Sequence, residues 1–556
     1  MNVILLPFRR CYLLLTIVAT GTAICLALAQ YSLGFLAPAA ALGALTIIGL
    51  HDLTQKRHAI LRSYPIAAHI RFLLEHIRPE IRQYFLEDET QGMPFARKKR
   101  SIVYQRAKGQ LDKVAFGTQL DVYGTRYEWL NHSIAATTPP NGPFRVQVGG
   151  PDCRQPYSAS VFNISAMSFG ALSANAILAL NRGAKLGDFA HDTGEGGLSV
   201  HHRTFGGDVI WEIGSGYFGC RNEDGTFSPE RFAETARLDQ VKMIEIKVSQ
   251  GAKPGHGGVL PGPKVSAEIA EARQVPIGID CISPPNHSAF GTPLELVNFI
   301  AELRRLSGGK PVGFKICIGH PWEFLGICKA MVETGIMPDF IVVDGSEGGT
   351  GAAPLEFLDH FGMPMRDGLN FVHNALVGAD LRQHIRLGAA GKITSAFDIA
   401  RAMALGADWC NAARGFMFAL GCIQAQACHT DRCPTGVTTQ DPVRQRALVV
   451  ENKAERVCSF HEATLKALAE VIAAVGIDHP SRLLPRHISR RVSADRIETY
   501  ESIYPSLAPG ALIRGTADPR FVNAWQLARA ESFQPEENLL YTADLAAPST
   551  AAAAAE

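Results

Sequence analysis

Two apolar runs open the chain, and neither carries a charge. Residues 11–28 and 33–50 each reach the lower limit for crossing a hydrocarbon layer of roughly 30 Å. Arg9 and Arg10 precede the first run, and Lys56 and Arg57 follow the second. The excess of basic residues at both outer ends predicts a transmembrane hairpin over residues 1–57. It would sit in the inner (cytoplasmic) membrane, with the catalytic domain facing the cytoplasm. A cleaved signal peptide would account for the first run, with its basic start and small residues at Ala27–Ala29, but leaves the second unexplained.

The pattern then changes twice. Residues 58–157 read as a connecting region. Leu61–Leu86 has apolar residues at mixed i+3 and i+4 spacing and predicts a helix. The run Pro139-Pro140-Asn141-Gly142-Pro143 reads as a linker. From residue 158 to 440, short β-rich runs alternate with helix-length segments. Eight runs qualify: Val161–Ser165, Asp188–His191, Met243–Val248, Ile277–Cys281, Val312–Cys317, Phe340–Val343, Ile385–Ala389 and Trp409–Ala412. Most are apolar without strict alternation, as parallel strands covered on both faces should be. Ser173–Leu186, Pro293–Leu306 and Ser395–Leu405 fit the intervening helices. The predicted fold is α/β, a (β/α)8 TIM barrel, with a helical extension at 441–545 and a low-complexity, disordered tail at 546–556. A doubly wound open sheet is the alternative, disfavoured because no Gly-x-Gly-x-x-Gly follows the first strand.

Composition narrows the classes. With 47% hydrophobic and 19% charged residues the chain is globular, and a net charge of +1 gives no pull toward nucleic acid. Most cysteines are scattered among apolar residues and read as small core side chains in a reducing compartment. Cys422, Cys428 and Cys433 differ: they form a C-x5-C-x4-C cluster followed by Pro434. That is neither a zinc spacing nor the paired pattern of ferredoxin-type clusters. It suits a three-iron cluster, or a four-iron cluster with Cys410 or Cys458 as fourth ligand, lying beside a flavin.

Glycine-rich loops follow nearly every predicted strand, where barrel enzymes build their sites. Gly391, Lys392 and Thr394 lead into a helix near Ser395, and Arg414-Gly415 closes the other side, a candidate phosphate grip. Met167–Gly170 would pass its backbone along the flavin ring. Lys315, a charge in an apolar run, would stabilise the reduced ring, or else pair with a carboxylate in the barrel interior. Gln250, Gly348 and Gly349 lie in loops of the same set. Lys247, Lys253, Lys264 and Arg273 gather around Glu195 and suit a small dicarboxylate.

These stretches together resemble the FMN-binding synthase part of glutamate synthase. The resemblance runs from about Val161 to Leu484. It is carried by Ala166–Ser173, Thr193–Gly197, Gln250–Gly255 with Leu260-Pro261-Gly262, Ile282–Pro285, Glu347–Pro354 and Gly421–Val437. It implies a barrel carrying FMN and a [3Fe-4S] cluster, reducing an imine of 2-oxoglutarate to glutamate with electrons entering by the cluster. By position, Cys422, Cys428 and Cys433 are the implied cluster ligands. Met167, Ser168, Lys315, Gly391 and Arg414 fall in FMN-contacting loops, and Glu195, Lys253 and Arg273 face the keto acid. Two departures stand out. The family's Lys-Pro-Gly-Glu-Gly-Gly-Gln reads Lys253-Pro254-Gly255-His256-Gly257-Gly258-Val259, which puts the keto acid's identity in question. The glutaminase domain finds no counterpart, so ammonia, an amine or a partner subunit is the expected nitrogen source. The electron donor is expected to be ferredoxin, an NAD(P)H-oxidising subunit or a membrane carrier. Other readings are an amine or amino-acid dehydrogenase, an N-alkylglutamate-forming enzyme, or a non-catalytic membrane-docked redox module.

Overall fold

The computed structural model describes residues 12–351, 353–516 and 518–536. Residues 1–11 of the expected hairpin and the expected disordered tail lie outside them. The chain divides into two compact units, residues 1–92 and 93–556.

In the first unit, helices Leu13–Leu28 and Leu36–Thr54 lie side by side. Thr22 and Thr46 meet across them, hydroxyl to hydroxyl, at 3.0 Å. Gly49 permits the close approach: a Cβ there would come within 2.5 Å of Leu15. The outer faces are apolar and exposed, at Ile17, Ile24, Leu26, Ile47 and Leu50 among others. The segment Leu33–Thr54 has a mean hydropathy of 2.0 over 22 residues and is long and apolar enough to cross a membrane; Leu13–Leu28 is shorter. The single helix expected at Leu61–Leu86 is interrupted. It runs as Ala59–Ser63, Ala67–Ile81 and a π-helical turn at Arg82–Leu86. Pro65 lacks the N–H a continuous helix needs and pushes Tyr64 out of the helical region. The buried Asp52 ties the break to the hairpin, accepting hydrogen bonds from the Ile66 N–H at 3.0 Å and from His69 Nε2 at 3.0 Å.

The second unit is built on a closed barrel of eight parallel strands. They are β1 (Phe162–Ile164), β2 (His191–Asp192), β3 (Val209–Ile213), β4 (Val241–Lys247), β5 (Val312–Ile316), β6 (Phe340–Asp344), β7 (Arg386–Ala390) and β8 (Trp409–Ala412). β8 returns to β1 with Cys410 opposite Phe162 and Ala412 opposite Ile164. Every residue of β3 and β5 is buried, which is why their sequences do not alternate. Helix starts follow their caps: Ser173, Thr292 and Ser395 each accept from a backbone N–H three residues on.

One strand assignment changes. Ile277–Cys281 is not a barrel strand. It belongs to an excursion after β4, where Cys281–Ile282 pairs with Val259–Leu260, and its apolar residues Ile277 and Ile279 face outward. The third barrel strand is instead Val209–Ile213, whose central Glu212 masks an otherwise apolar run. The expectation of a purely helical extension also changes. Its 26-residue helix Val450–Val475 packs on Ala174–Gly187, where Gly183 makes room for Val457. Strands Ile488–Arg491 and Ile497–Thr499 then join Glu128–Leu130 in an antiparallel sheet.

Register decides what fills the barrel. At its amino end Ile210, Met243, Phe340, Val342 and Trp409 pack against Val148, Tyr157 and Ala159 from the preceding hairpin. Toward the carboxyl end Glu212 lies opposite Glu245, and Lys315 opposite Lys247. Side chains two residues apart on a strand share a face, so Glu245 and Lys247 both point inward, one pleat repeat apart.

Candidate active site

The loops at the carboxyl ends of β2, β3 and β4 and the excursion after β4 enclose a cleft. Its walls include Glu195, Ser215, Lys247, Gln250, Lys253 and His256, with Pro284 and Pro285 closing one side. Glu195 is the centre of its charge. Its Oε2 meets Lys247 Nζ at 2.9 Å. Burial alone would raise its pKa, but Lys247, then Arg273 and Lys253, outweigh that and hold it at about 2. Glu195 is therefore a fixed anion at neutral pH. Lys253 is buried and donates to the Gly257 carbonyl at 3.2 Å. Burial pulls its pKa down, with Glu195 partly restoring it. His287 supports Lys247 from behind, its ring nitrogens meeting the Lys247 carbonyl at 2.9 Å and the Tyr217 hydroxyl at 3.2 Å; burial lowers its pKa to about 4.

Arg273 is near Glu195 but is not a cleft wall. It donates to the Phe169 carbonyl at 3.1 Å and lies over the Phe218 ring at 5.1 Å. Gly170 and Gly196 leave space for it; a Cβ at either would crowd its Nη2 at 3.2 and 3.4 Å. Arg273 is thus an interior post that lends charge to the cleft from behind its wall. Lys264 also leaves the group: its ammonium faces Asp431 at 3.8 Å. Val259 is exposed and outside the cleft walls, whereas Gly258 faces Glu195 directly. His256 is at the cleft mouth, edge-on to Phe357 at 5.2 Å.

The expected flavin loops are brought together. Gly194, at φ +64, sits against the backbone of Met167 and Ser168, where a Cβ would come within 2.6 Å of the Ser168 nitrogen. Gly251, beside Gln250, packs on Gly345, and Gly348 lies over both. Arg414 donates to the Gly349 carbonyl at 2.8 Å. Gly391 and Gly415 are packing positions, against Met365 and the Ile393 carbonyl. Lys392, half-buried near the Phe95 ring, adopts φ +52, a left-handed conformation uncommon outside glycine. At the helix start near Ser395, the Thr394 N–H is not open to a phosphate. Asp398 takes the Thr394 N–H at 3.1 Å and both the Thr394 and Ser395 hydroxyls, and is itself paired with Lys99 and Arg401. Arg414 and Lys392 are what remains for an anion there.

Lys315 takes the second of its two readings. Its ammonium is bound to Glu212 and lies 3.3 Å from Glu245, fully inside the barrel. Asp192 completes this group, which sequence reasoning missed. The clue was there in the alternation: charged residues at Glu212, Glu245 and Lys315 each interrupt a buried strand.

The cysteine loop follows the helix Arg414–Leu420 after β8. Gln424, Gln426 and Asp431 all have positive φ, so the loop is held in a demanding shape. Phe95 clasps Gln424 through both backbone groups, at 3.2 and 3.3 Å, and Tyr104 donates to the Cys422 carbonyl at 2.6 Å. Gln440 bonds the carbonyls of Gly170 and Leu172 at 3.0 Å, and Gly351 abuts Cys428. These contacts fix the loop against those after β1 and β6. Cys422, Cys428 and Cys433 are free thiols. Burial raises the Cys422 thiol to about 11, with Cys428 and Cys433 adding to it. Cys433 goes the other way, to about 7: burial opposes, but the Thr435 and Thr438 hydroxyls and N–H groups prevail. Cys410 is buried in β8, and Cys458 donates to Glu462 at 3.5 Å on the long helix.

Comparison with known proteins agrees with this geometry. The model for the conserved region in glutamate synthase matches residues 152–478. The chain is 38% identical over 484 residues to the glutamate synthase large subunit-like protein YerD of Bacillus subtilis, covering 80% of this chain and 92% of that one. It is 36% identical over 317 residues to the archaeal-type glutamate synthase (NADPH) of Thermotoga maritima, spanning 56% of this chain and 59% of that protein. Against the ferredoxin-dependent glutamate synthase of Cyanidium caldarium it is 33% identical over 389 residues, 65% of this chain and 24% of that one. Among solved structures, a flavocytochrome b2 covers 79% of this chain at 11% identity with a TM-score of 0.41, too weak a likeness to bear on function. Because the match runs through the whole barrel and its cysteine loop, the chain belongs to the glutamate synthase family and is an oxidoreductase.

Proposed function

We propose that this chain is a membrane-anchored, glutamate synthase-like enzyme that reduces an imine of 2-oxoglutarate or a related keto acid, with ammonia supplied from outside the chain. The observation that carries the reading is the charge of the cleft: one ionised carboxylate beside two wall lysines, Lys247 and Lys253, with Arg273 behind, a net positive site that suits a small dianion. Lys253 and Lys247 orient the carboxylates. Glu195, ionised down to about pH 2, cannot serve as an acid at neutral pH; it steadies the positive charge of the iminium nitrogen.

The donor set fits both implied cofactors. Arg414 and Lys392 would hold the FMN phosphate, and the Met167–Ser168 backbone with Gln250 would flank its ring. Cys422, Cys428 and Cys433, with the donors around Cys433, would hold a three-iron cluster. When bound, the flavin supplies hydride and the cluster supplies electrons singly, from ferredoxin, an NAD(P)H-oxidising partner or a membrane carrier. The exposed apolar hairpin supports anchoring in a bilayer. It also favours a second reading, amino-acid oxidation feeding a membrane carrier.

Purification with native chromophores tests the proposal. Flavin absorption and an iron–sulfur EPR signal are expected, with flavin reoxidation when 2-oxoglutarate and ammonia meet the reduced protein. A preparation with neither flavin nor iron sinks it. Glu195→Gln should abolish turnover while the cluster still reduces; unchanged turnover would remove Glu195 from the mechanism. Alkaline washing of membranes should leave the full chain in the pellet, and its release would refute anchoring.

A further inference from the structure

The floor of the barrel, beneath the cleft, holds a second charged group that the substrate reading does not use. Asp192 of β2, Glu212 of β3 and Glu245 of β4 bring carboxylate oxygens within 4.8 Å of one another. Lys315 of β5 is the cation among them. Asp344 of β6 faces the same group, with Glu347 beyond it. β7 and β8 contribute no titratable side chain to this layer: their inward residues here are Ala390 and Asn411. All four central side chains are buried.

Two physical facts follow. Fully ionised, three carboxylates and one ammonium carry a net charge of −2 in a closed interior, a state that burial strongly disfavours. Moreover, Asp192 Oδ2 and Glu245 Oε2 meet no hydrogen-bond donor, and Glu245 Oε1 has only the Lys315 ammonium, shared with Glu212, at 3.3 Å. A buried carboxylate with so few donors takes a proton. A metal ion would serve the same charge, but the Lys315 ammonium already occupies the position between the carboxylates.

The group is also wired to the loops above. Asp192 Oδ1 accepts from the Gly194 N–H at 2.9 Å, and Asp344 Oδ2 from the Gly251 N–H at 2.8 Å. Glu245 lies two residues before Lys247, so the floor is about 7 Å below the cleft. Reduction of a keto acid dianion and ammonium to an amino-acid anion and water consumes two electrons and two protons. Carriers that deliver single electrons bring no protons, so these must come from the protein or from water.

We propose that Asp192 and Glu245 share one proton at neutral pH, held in place by Lys315 and Glu212, and that this floor is a proton store that supplies one of the two protons consumed in the cleft, the other coming from solvent water. Burial first, then Glu212, raises the Asp192 pKa to about 7 against the pull of Lys315, and burial holds Glu245 well above the usual range; the two titrate as a pair. The proton's use rests on the reductase reading above; its presence does not.

Infrared spectroscopy of the purified full chain separates the two. A protonated-carboxyl band that shifts in D2O is expected at pH 7. It should vanish in Glu245→Gln and in Asp192→Asn, both near-isosteric, and fade as pH is raised above neutral. Absence of the band in the wild type, or its persistence in both variants, overturns the proposal, whether or not flavin is bound. In the holoenzyme, both variants should lower kcat about a hundredfold with the KM for keto acid unchanged. A KM rise matching the kcat loss would mean a structural role and overturn the store. If either variant fails to fold, Glu212→Gln replaces it, and the band should then persist at a shifted position.

Discussion

Two charged groups stand one pleat repeat apart in this barrel, and they are opposites. At the cleft, one carboxylate faces Lys247 and Lys253, with Arg273 behind it. On the floor, one ammonium faces three carboxylates. The same residue types therefore end in opposite states. Glu195 is ionised down to about pH 2, whereas the pKa values of Asp192 and Glu245 are raised. What differs is the majority charge, since both groups are largely withdrawn from water. The cleft's excess charge is positive and accessible, so it can be met by an anionic ligand. The floor's excess is negative and enclosed, so it must be met by protons.

The largest way to break this comparison is Lys315→Met. It leaves three carboxylates without a cation and should cost about 3–5 kcal/mol of stability, read by denaturant unfolding of the full chain. A loss under about 1 kcal/mol would mean that Lys315 is not what offsets the charge of the floor. Next is Lys253→Met, which removes one charged donor from the cleft. Binding of a dicarboxylate inhibitor, followed by calorimetry, should weaken about ten- to a hundredfold, while flavin content is retained.

The pH dependence sharpens the contrast. The folded pKa of Glu195 is depressed, so its contribution to stability is present above the ordinary carboxylate range and is lost as pH falls through about 2. Dicarboxylate affinity should thus be flat between about pH 5 and 8 as far as Glu195 is concerned. On the alkaline side it should decline earlier than an ordinary lysine dictates, because burial lowers the Lys253 pKa and its charge is lost sooner. The smallest effect is expected for Val259→Gln. The side chain is exposed and outside the cleft, so keto-acid selectivity should move by no more than about twofold. A larger change would bring this strand into the binding site.

Much of the fold was legible because its strands are short, apolar and separated by capped helices. Pro293–Leu306 matches its expected bounds, and Ser173 and Ser395 cap the helices they announce. The errors have physical causes. Ile277–Cys281 has strand-like composition but lies on the outside of an excursion, and composition does not encode exposure. Val209–Ile213 was hidden by Glu212, a charge that only the partner strands make tolerable. At Ser395 the sequence displays the cap but not that Asp398 takes the Thr394 N–H and both neighbouring hydroxyls.

By itself, then, the sequence determined the local and additive features: two uncharged apolar runs, the β/α alternation, the C-x5-C-x4-C spacing and the loops rich in glycine and lysine. These depend on near neighbours along the chain. The tertiary structure alone decided which charges meet. Glu195 finds Lys247, Arg273 turns inward to Phe169, Lys264 goes to Asp431, and Lys315 descends among Asp192, Glu212 and Glu245. Those pairings join residues tens to more than a hundred positions apart. They are set by strand register around a closed barrel, and a charge's protonation state depends on what surrounds it in space.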